Sequence, residues 1–434
     1  MDKWLFLKTF YKVRFREKWT SREAIEAHQA KGLQEFYAYM KQHSPYFREH
    51  GFTKDFLMDK SFMMANFDSL NTVGVEKEKA FAIAQEGEKS RDFSASYGDI
   101  SVGLSSGTSG NYGIFLTSPN EQALWAGTIL AKLLPKGRLL GHKIAFFLRS
   151  DNNLYKAVTS PILRLHYFDM QIAIEEHIKT LNTYQPSLLV APASVCLQLA
   201  RAKQAGVLTI SPQRIFSVAE ILEDRDRTII EEAFGQRVYQ IYQATEGFLG
   251  ASCQEGTLHL NEDGLLIEKE WVDDQRFYPI ITDFKRTSVP FYRYRLNDIL
   301  QIEDRECPCG SKLLAIKKIE GRSDDIFYFE SEDAGVCSIY PDFIRRCLIL
   351  IPEIEEYQVT QVALDQLEIG LNYRNQAVEE AIVMNLKQLA TDFHFTCPSI
   401  RFVAYQAPAK GQKLRRILQK INKKELEIYA RINH

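Results

Sequence analysis

The amino-acid sequence lacks the features that mark several large classes of protein. None of its apolar runs approaches the roughly 18 residues that a membrane-spanning helix needs. The amino end has charged residues where a secretory signal would have an apolar block. With 54 basic and 56 acidic residues the net charge is only -2, which does not favour nucleic acid as a partner. We therefore expect a soluble, cytoplasmic protein with no transmembrane segment.

Cysteine is also sparse, with 7 residues in a chain of 434. Without a secretory segment, so few cysteines do not indicate a disulfide framework. Four of them lie in mixed or apolar sequence and are predicted to be small buried residues. These four are Cys196, Cys337, Cys347 and Cys397. The other three belong to a separate pattern described below.

Strand and helix patterns alternate in the middle of the chain, with helical stretches of ten to fourteen residues. This alternation is typical of an α/β fold, in which crossover helices connect the strands of a parallel sheet. The segments, in chain order, are EEHIKTLNTY, SLLVAP, ASVCLQLARAKQAG, RIFSVAE, EDRDRTIIEEAFG and VYQIY. Ligands bind beyond the carboxyl ends of such strands. The residues QATEG and AEI, which follow the last two strands, are therefore predicted to line a pocket.

The flanking regions differ in pattern from the middle. Residues 1–95 show helical patterns with polar loops, and shorter alternating segments after residue 250 predict antiparallel hairpins. A break follows near Gly321–Phe327, and the remainder mixes strands and helices. We predict a large domain with parallel sheets and a β-rich subdomain over residues 1–321, then a small mobile α+β domain over residues 322–434.

The amino-terminal segment combines an apolar stripe with basic residues. Trp4, Leu7, Tyr11 and Phe15 recur at helical spacing. The interleaved basic residues are Lys3, Lys8, Lys12, Arg14, Arg16 and Lys18. Such a helix is able to lie on a membrane surface. Alternatively the stripe packs against its own domain, which is the interpretation we favour.

A loop rich in glycine, serine and threonine, SSGTSGNYG, spans Ser105–Gly113. Free backbone amides and hydroxyl groups in such a loop form a concave cradle for phosphate oxygens. The Walker pattern GxxxxGK[ST] is absent. On its own, the loop fits phosphate binding and a plain flexible connection equally well.

Two later motifs supply groups that an ATP site needs. YQATEG contains Tyr242, which is suited to stacking on a base, Thr245, whose hydroxyl suits a phosphate, and Glu246, whose carboxylate suits magnesium. RYRLND ends in Asp298, which is able to accept hydrogen bonds from ribose hydroxyls. Taken alone, Tyr242 is also consistent with a core residue and Asp298 with a turn cap.

Two further motifs lie near the predicted domain junction and the carboxyl end. GRSDD contains Arg322 and Asp324, and APAKGQKLRR contains Lys413 with Arg416 three residues later. Residues 401–434 hold nine Lys or Arg against two Glu. A charge run of this kind is usually a solvated face, so the tail alone does not indicate catalysis. The order of the five motifs along the chain favours an ATP-dependent enzyme.

With these motifs in this order, the sequence resembles the adenylate-forming superfamily of acyl-CoA synthetases and luciferases. It is most similar to the phenylacetate-CoA ligase branch, which includes enzymes that adenylylate a deazaflavin coenzyme. The likeness covers nearly the whole chain, through QPSLLVAPASV, VAEILEDRDR, VYQIYQATEG, the CPCG turn and GRSDDIF. In this family a carboxylate attacks the α-phosphate of ATP to give an acyl-adenylate and pyrophosphate. The small domain then rotates, and a thiol, commonly that of coenzyme A, takes the acyl group.

The resemblance implies a role for each matching residue around ATP. The loop that holds the β- and γ-phosphates corresponds to Ser105, Ser106, Gly107, Thr108, Ser109 and Gly110. Tyr242 matches the aromatic residue stacked on adenine, and Glu220 lies at the adenine-side strand end. Thr245 matches the hydroxyl on the α-phosphate, Glu246 the magnesium ligand and Asp298 the ribose clamp.

The resemblance also assigns roles near the junction and the carboxyl end. Arg322 is similar to the second ribose contact, and Asp324 to the hinge that changes its dihedral angles when the small domain turns. Lys413 resembles the mobile lysine that reaches the carboxylate and the α-phosphate. Adenylation accumulates negative charge at phosphorus, which a lysine and Mg²⁺ would stabilise electrostatically.

A second constellation suggests a metal site. Cys253 and His259 lie in ASCQEGTLHL, and Cys307 and Cys309 flank a proline in ECPCG. Three thiolates and one imidazole suit a structural tetrahedral zinc site. The thiols are equally consistent with simple burial, but members of the phenylacetate ligase branch have similar Cys/His positions. We therefore expect structural zinc that clamps loops together and leaves no position for substrate.

The acyl pocket is the least defined part. Residues of AFFLRSDNNLY are candidates for an apolar wall with a carboxylate partner, or for a core strand and its exit loop: Phe146, Phe147, Arg149 and Asn152. Departures from the family leave coenzyme A in question as the acceptor: Tyr112, Asn297, Phe327 and Gln412 replace usual lysine or glycine residues, and FESEDAGVCSIYP is longer and more acidic than the loop that guides the pantetheine arm.

The sequence thus predicts an enzyme that uses ATP and Mg²⁺ to activate an aryl or other hydrophobic carboxylic acid and passes it to a thiol, either coenzyme A or a carrier protein. One alternative is a nucleotidyltransferase that leaves AMP on a coenzyme-like acceptor. Another is a degenerate ATP-binding scaffold, against which the retention of Glu246, Asp298 and Lys413 argues. The oligomeric state stays open, with a homodimer as one alternative.

Overall fold

The computed structural model describes most of the chain. The described residues are 2–90, 96–104, 113–137, 139–148, 163–170, 172–322, 325–332, 335–349, 351–408 and 413–421. Several residues singled out by the sequence lie outside them: Ser105, Ser106, Gly107, Thr108, Ser109, Gly110, Tyr112, Arg149, Asn152, Asp324 and Gln412. The chain forms two compact units, one made of Met1–Leu296 and Leu300–Lys318, the other of Asn297–Ile299 and Ile319–His434.

Helices occupy the first part of the larger unit, as the sequence predicts. They are α1 (Lys3–Tyr11), which continues as a π-helical turn (Lys12–Arg16), α2 (Arg22–His43), α3 (Pro45–His50), α4 (Lys60–Ala65), α5 (Phe67–Leu70) and α6 (Lys77–Ser90). Side-chain caps begin several of them: Asp2 accepts from the amide of Trp4, and Ser21 from that of Ala24. In the described part of the chain, no helix has the length and apolarity needed to cross a membrane.

Helix α1 packs on the body of the unit with the opposite face from the one expected. Its stripe of Trp4, Leu7, Tyr11 and Phe15 is exposed, so the interpretation that this stripe packs against its own domain is wrong. The helix contacts its unit through Phe6, Thr9 and Phe10 instead. Phe6 and Phe10 supply the apolar contacts of the face that packs on the unit. The stripe on the other face of the helix is therefore exposed.

A small antiparallel sheet follows, with strand order β1 (Ser96–Tyr97), β2 (Ile100–Leu104) and β3 (Ile114–Thr117). Helix α7 (Pro119–Leu133) starts two residues after β3. A capping box fixes this start, because the Ser118 side chain accepts from the Glu121 amide while the Glu121 carboxylate accepts from the Ser118 amide.

One half of the large sheet is parallel. Its strands are β4 (His142–Leu148), β5 (Leu163–Asp169), β6 (Leu188–Ala191), β7 (Arg214–Val218) and β8 (Val238–Ala244), in the order β8-β7-β6-β4-β5. Crossover helices α8 (Ile174–Tyr184), α9 (Ala193–Gln204) and α10 (Asp224–Phe234) connect β5 to β8. Every predicted strand and helix of this region is present, and Gly235 closes α10 at φ 63° as a left-handed cap.

The other half is antiparallel, as predicted for the segments after residue 250. Its strands are β9 (Gly247–Ser252), β10 (Leu258–Leu260), β11 (Leu265–Trp271), β12 (Arg276–Asp283), β13 (Tyr294–Arg295), β14 (Asp298–Ile302) and β15 (Ala315–Arg322). Strand β9 pairs with β8 and is the point at which the sheet changes from parallel to antiparallel.

The smaller unit is an α+β fold. A hairpin of β16 (Phe327–Glu330) and β17 (Val336–Ile339) precedes a four-stranded sheet of order β20-β19-β18-β21. Its strands and helices are α11 (Pro341–Ile349), β18 (Tyr357–Ala363), β19 (Gln366–Leu371), α12 (Gln376–Phe393), β20 (Ser399–Ala404) and β21 (Ile417–Gln419). The predicted fold class, a large α/β unit with a β-rich part followed by a small α+β unit, is confirmed.

Candidate active site and candidate metal centre

The glycine- and serine-rich loop joins two paired strands. Leu104 at the end of β2 pairs with Ile114 at the start of β3, so the two strands on either side of the Ser/Gly segment are neighbours. Gly103 in β2 lies against the Phe115 ring, and a Cβ added there would lie 2.2 Å from the ring. The close packing against Phe115 therefore explains why position 103 is a glycine. Phosphate binding is not needed to explain it.

The motif YQATEG forms the end of β8 and the turn into β9. Thr245 and Glu246 make a two-residue turn between paired Ala244 and Gly247, and both are partly exposed. Tyr242 is 7% exposed, and the register shifts between it and Gln243, which marks a bulge just before the turn. The turn thus lies at the carboxyl end of a parallel strand, where ligands of such sheets bind.

Arg286 connects this turn to β3, and no sequence motif singles it out. Its Nη1 donates to the carbonyls of Thr245 and Glu246, both at 3.0 Å, and its Nη2 donates to the carbonyl of Leu116 in β3 at 3.1 Å. The guanidinium also lies 4.6 Å from the ring centre of Phe291. One side chain therefore fixes the Thr245–Glu246 turn relative to β3, the strand that follows the Ser/Gly segment.

Glu121 holds the chain just after Arg286. Its carboxylate accepts from the amides of Thr287 and Ser288, at 2.6 and 2.8 Å, and from the Ser288 hydroxyl. Because Glu121 also belongs to the capping box of α7, the start of that helix and the arginine-bearing loop share one buried carboxylate. No sequence pattern reports this contact, since it joins positions far apart in the chain.

The carboxylate of Glu246 has a defined partner. The hydroxyl of Tyr294, a buried residue of β13, donates to Glu246 Oε1 at 3.0 Å. A donated hydrogen bond orients the carboxylate and leaves its other oxygen available to a cation.

Asp283 is a buried carboxyl close to the same turn. Its Oδ1 accepts from the amides of Lys285 and Arg286, and its Oδ2 lies 3.3 Å from where a Cβ on Gly247 would be. Burial raises the pKa of Asp283 to about 6, although the charge of Arg286 opposes the shift.

Glu220 follows β7, as predicted, and its carboxylate forms a hydrogen bond to the backbone of a neighbouring helix. Its Oε2 accepts from the amide of Ser194 at 2.9 Å, in the first turn of α9. Ala219, between β7 and Glu220, has a left-handed φ of 67°, a strained conformation for a residue with a Cβ. Strain of this kind is common at ligand sites, and here it directs the Glu220 carboxylate toward a helix start.

In the smaller unit, Asp298 and Arg322 are partly exposed strand-end residues, the first of β14 and the last of β15. Lys413 is exposed, but Arg416, which the sequence pairs with it, is buried and lies 5.5 Å from the ring centre of Tyr357. The neighbouring Arg415 instead forms an ion pair with buried Asp325.

Four predicted metal ligands come together in the larger unit. One donor atom from each of Cys253, His259, Cys307 and Cys309 lies within 4.8 Å of every other. The sulfurs of Cys253 and Cys307 are 3.6 Å apart, and Cys309 Sγ is 3.5 Å from His259 Nε2. Ligands around a tetrahedral zinc are separated by roughly 3.3–3.8 Å, so these distances fit that ion.

The histidine ring is oriented by the chain that follows the CPCG turn. His259 Nδ1 lies 2.9 Å from the carbonyl of Leu313, which fixes Nε2 toward the sulfurs. Burial raises the pKa of the Cys309 thiol to about 12. The cluster joins the β9–β10 connection to the segment between β14 and β15.

Among the described residues, two of the remaining four cysteines and the two phenylalanine candidates for the acyl wall belong to the core. Cys196 and Cys347 are buried as predicted, whereas Cys337 and Cys397 are half-buried. Phe147 is fully buried and stacks on Phe168 at 4.7 Å, so it belongs to the core of the sheet. Phe146 is buried in β4 with the cluster on the other face of the sheet.

No protein-family model matches the chain. Protein CapK of Staphylococcus aureus is 28% identical over 235 residues, which cover 51% of this chain and 51% of CapK. Indoleacetate–lysine synthetase of Pseudomonas savastanoi is 26% identical over 137 residues, 30% of this chain and 33% of the synthetase. The chain thus spans about half the length, or less, of the curated relatives it matches.

The solved structure of 2-hydroxyisobutyryl-CoA ligase in the postadenylation state, in complex with R3-HIB-AMP, has the same fold. The TM-score is 0.71 at 18% identity, and the match covers 96% of this chain and 93% of the ligase. The fold that the resemblance to the adenylate-forming superfamily implies is therefore confirmed. The phenylacetate-CoA ligase branch stays a prediction.

Proposed function

We propose that this protein is an adenylate-forming enzyme that activates a carboxylic acid with ATP. The observation that supports this most is the Arg286 clamp, which bonds the Thr245–Glu246 turn and the strand after the Ser/Gly loop. The clamp joins the turn that the sequence assigns to phosphate and magnesium binding to the strand that follows the Ser/Gly segment. The fold is that of an acyl-CoA ligase solved with an acyl-adenylate.

In the proposed reaction, a carboxylate oxygen of the acid attacks the α-phosphorus of ATP. The bond from that phosphorus to the bridging oxygen breaks, and pyrophosphate leaves with the electron pair. Magnesium bound at Glu246 would neutralise phosphate charge. Tyr294 orients the Glu246 carboxylate. Thr245 would present its hydroxyl to the α-phosphate.

The groups of the smaller unit complete the proposal. Asp298 would accept from the ribose hydroxyls and Arg322 would contact the same sugar. Exposed Lys413 would reach the carboxylate and the α-phosphate, where a positive charge stabilises the transition state. Arg415 lies two residues after Lys413 and forms an ion pair with Asp325. This pair anchors the segment that contains Lys413.

In the first form of the proposal, a thiol such as that of coenzyme A accepts the acyl group. The similarity to indoleacetate–lysine synthetase favours a second form, in which an amine is the acceptor and the acid is an arylacetate. Both forms share the adenylation half, so they differ only in the nucleophile that displaces AMP.

The experiment that tests adenylation is trapping of the activated acyl group. Purified protein is incubated with ATP, Mg²⁺, hydroxylamine and a panel of aryl, arylacetic and fatty acids. An acid-dependent hydroxamate, formed with stoichiometric AMP, is expected for one class of acid. Label from [α-³²P]ATP that stays on an acceptor instead of appearing as AMP would contradict ligation and favour nucleotidyl transfer.

We further propose that the cluster of Cys253, His259, Cys307 and Cys309 binds a structural zinc ion. Its donor set is soft, its distances fit a tetrahedron, and the carbonyl of Leu313 orients the imidazole. With four protein ligands, such a site has no open position for a substrate. Its role would be to hold the β9–β10 connection against the CPCG turn.

A further inference from the structure

The amino-terminal helix α1 and its π-helical turn are fixed to the larger unit by two devices. The first is a close crossing with α7. A Cβ added to Gly127 would lie 2.8 Å from the Phe6 carbonyl and 2.9 Å from Thr9 Cβ, so only glycine permits this approach. Phe6 and Phe10 stack beside the crossing at 6.4 Å and join the core under α7.

The second device is Arg14, which binds the end of α7. Its guanidinium donates to the carbonyls of Ala131, Leu134 and Pro135 at 2.9, 2.8 and 2.6 Å. Carbonyls at a helix carboxyl end lack intrahelical partners and bear partial negative charge, which a guanidinium satisfies. The segment from Lys3 to Arg16 is therefore a rigid part of the unit.

This rigid segment projects apolar side chains outward. Trp4 is 77% exposed, and the other members of the stripe, Leu7, Tyr11 and Phe15, are each about half exposed or more, at 54%, 57% and 48%. The rings of Tyr11 and Phe15 lie 5.4 Å apart and form a continuous ridge. Four large apolar side chains that project from one docked helix are not explained by the packing of that helix.

Basic side chains border the ridge. Those that are exposed are Lys3, Lys8, Lys12, Arg16 and Lys18. The two acidic residues of the segment are engaged locally: the Asp2 carboxylate caps the amides of Trp4 and Leu5, and Glu17 pairs with Lys12 at 2.8 Å. Residues 2–18 hold six basic and two acidic side chains, so this segment has a net charge of +4 in a chain whose net charge is only -2.

We propose that this face, the exposed stripe Trp4, Leu7, Tyr11 and Phe15 with its basic border, binds the surface of membranes that contain anionic lipids. Tryptophan and tyrosine are favoured at the boundary between headgroups and acyl chains, because their rings are apolar and their edges polar. Lysine side chains extend past such a boundary toward phosphate groups. A projecting ridge suits insertion into a layer of headgroups, whereas a protein partner would need a matching groove.

Vesicle co-sedimentation tests the proposal with the full chain. We expect binding to vesicles of phosphatidylcholine mixed with phosphatidylglycerol, little binding to phosphatidylcholine alone, and release as salt screens the attraction. Two variants target the face: Trp4→Ser with Tyr11→Ser, and Lys3→Glu with Lys8→Glu. Each basic residue near an anionic surface contributes roughly a factor of five in affinity, so the charge variant is expected to bind roughly 25-fold more weakly or worse.

Matched controls lie elsewhere on the same unit. Trp271, 51% exposed, is changed to Ser, and the exposed lysines Lys31 and Lys41 of α2 are changed to Glu. These controls are expected to bind anionic vesicles like the unchanged protein. Equal loss in the controls, or no binding to anionic vesicles by the unchanged protein, overturns the proposal. A concentration-dependent dimer that the Trp4/Tyr11 variant abolishes, without lipid binding, would assign the face to a second copy instead.

Discussion

The hydroxyl of Tyr294 donates a hydrogen bond of 3.0 Å to a carboxylate oxygen of Glu246. Through this bond a buried strand residue sets the orientation of the proposed magnesium ligand. Tyr294→Phe removes the donor and keeps the ring, so the fold is expected to persist. We expect the acid-dependent rate to fall roughly 10- to 100-fold, the usual effect of one hydrogen bond to a charged group, with a higher Mg²⁺ requirement. Steady-state rates over a Mg²⁺ titration measure both.

The control for this variant is Tyr292→Phe. Tyr292 is also buried, but its hydroxyl donates to the Thr53 carbonyl, away from Glu246. An equal loss of rate in both variants, or an unchanged Mg²⁺ requirement in Tyr294→Phe, would show that Tyr294 does not act through the metal ligand.

Arg286→Lys is expected to impair the enzyme more strongly. A lysine lacks the fork that binds three carbonyls at once, and it leaves at least one of them without a donor. We expect a loss of about 2–4 kcal/mol in the free energy of unfolding, measured by urea titration, because a set of half-buried hydrogen bonds from a charged donor is broken. The rate of adenylation should fall roughly 100-fold, since the two phosphate-binding segments lose their alignment.

Arg295→Lys is a suitable comparison for Arg286→Lys. Arg295 forms a two-pronged pair with Glu270 on partly exposed strands of the same sheet. We expect only a small change in stability and none in the rate of adenylation. If Arg286→Lys behaves like Arg295→Lys, the clamp is not needed for the reaction.

The fold was largely predictable from sequence because its signals are local. Helices and strands from α8 to β8 have the apolar periods and glycine caps that the sequence shows. The Cys/His cluster was predictable because chemistry restricts what such residues do. Arg286 and Glu121 were not, since their partners lie far away in sequence and their bonds are to backbone groups. The burial of Arg416 against Tyr357 was not predictable either, because the spacing of Arg416 from Lys413 does not show what it contacts.

The stripe on α1 shows a related limit. A helical period identifies an apolar face, but it does not say what that face contacts. Here a second face, Phe6 with Thr9 and Phe10, performs the packing, and the stripe of Trp4 and Tyr11 stays exposed. The difference becomes visible only when Gly127 of α7 is brought against the helix.

Removal of one metal ligand tests the zinc site. The protein as purified is expected to contain one zinc per chain by elemental analysis, and Cys307→Ser is expected to lose it. Because such ions stabilise the loops they join, the melting temperature should fall as well. Cys337→Ser, a half-buried thiol outside the cluster, should keep its zinc. Full metal content and an unchanged melting temperature in Cys307→Ser would rule the site out.

Asp283 predicts a pH dependence of stability. Its pKa, raised by burial to about 6, means that the folded state binds this proton more tightly than the unfolded state, so stability falls as the pH rises between roughly pH 4 and 6. Asp283→Asn keeps an oxygen for the amides of Lys285 and Arg286 and removes the penalty. Relative to the unchanged protein, the variant should gain on the order of 2 kcal/mol in unfolding free energy between pH 4.5 and pH 7.

Asp263 provides the opposite case. It is buried as well, but its ion pair with Lys132 lowers its pKa despite the burial. Asp263→Asn should therefore lose stability at pH 7, and the loss should shrink as the pH falls toward the acid range. Denaturant titrations of both variants across this range measure the two slopes. Slopes of the same sign would contradict the account of Asp283.

The central claim is that the protein forms acyl-adenylates, and acid-dependent exchange between ATP and labelled pyrophosphate tests it most directly. We predict exchange with one class of carboxylic acid in the presence of Mg²⁺. In Lys413→Ala the exchange should fall roughly 100- to 1,000-fold, as when a transition-state contact is removed, whereas Lys420→Ala, an exposed lysine of the same segment, should keep it. Folded protein that binds ATP but shows no exchange with any acid would contradict the claim.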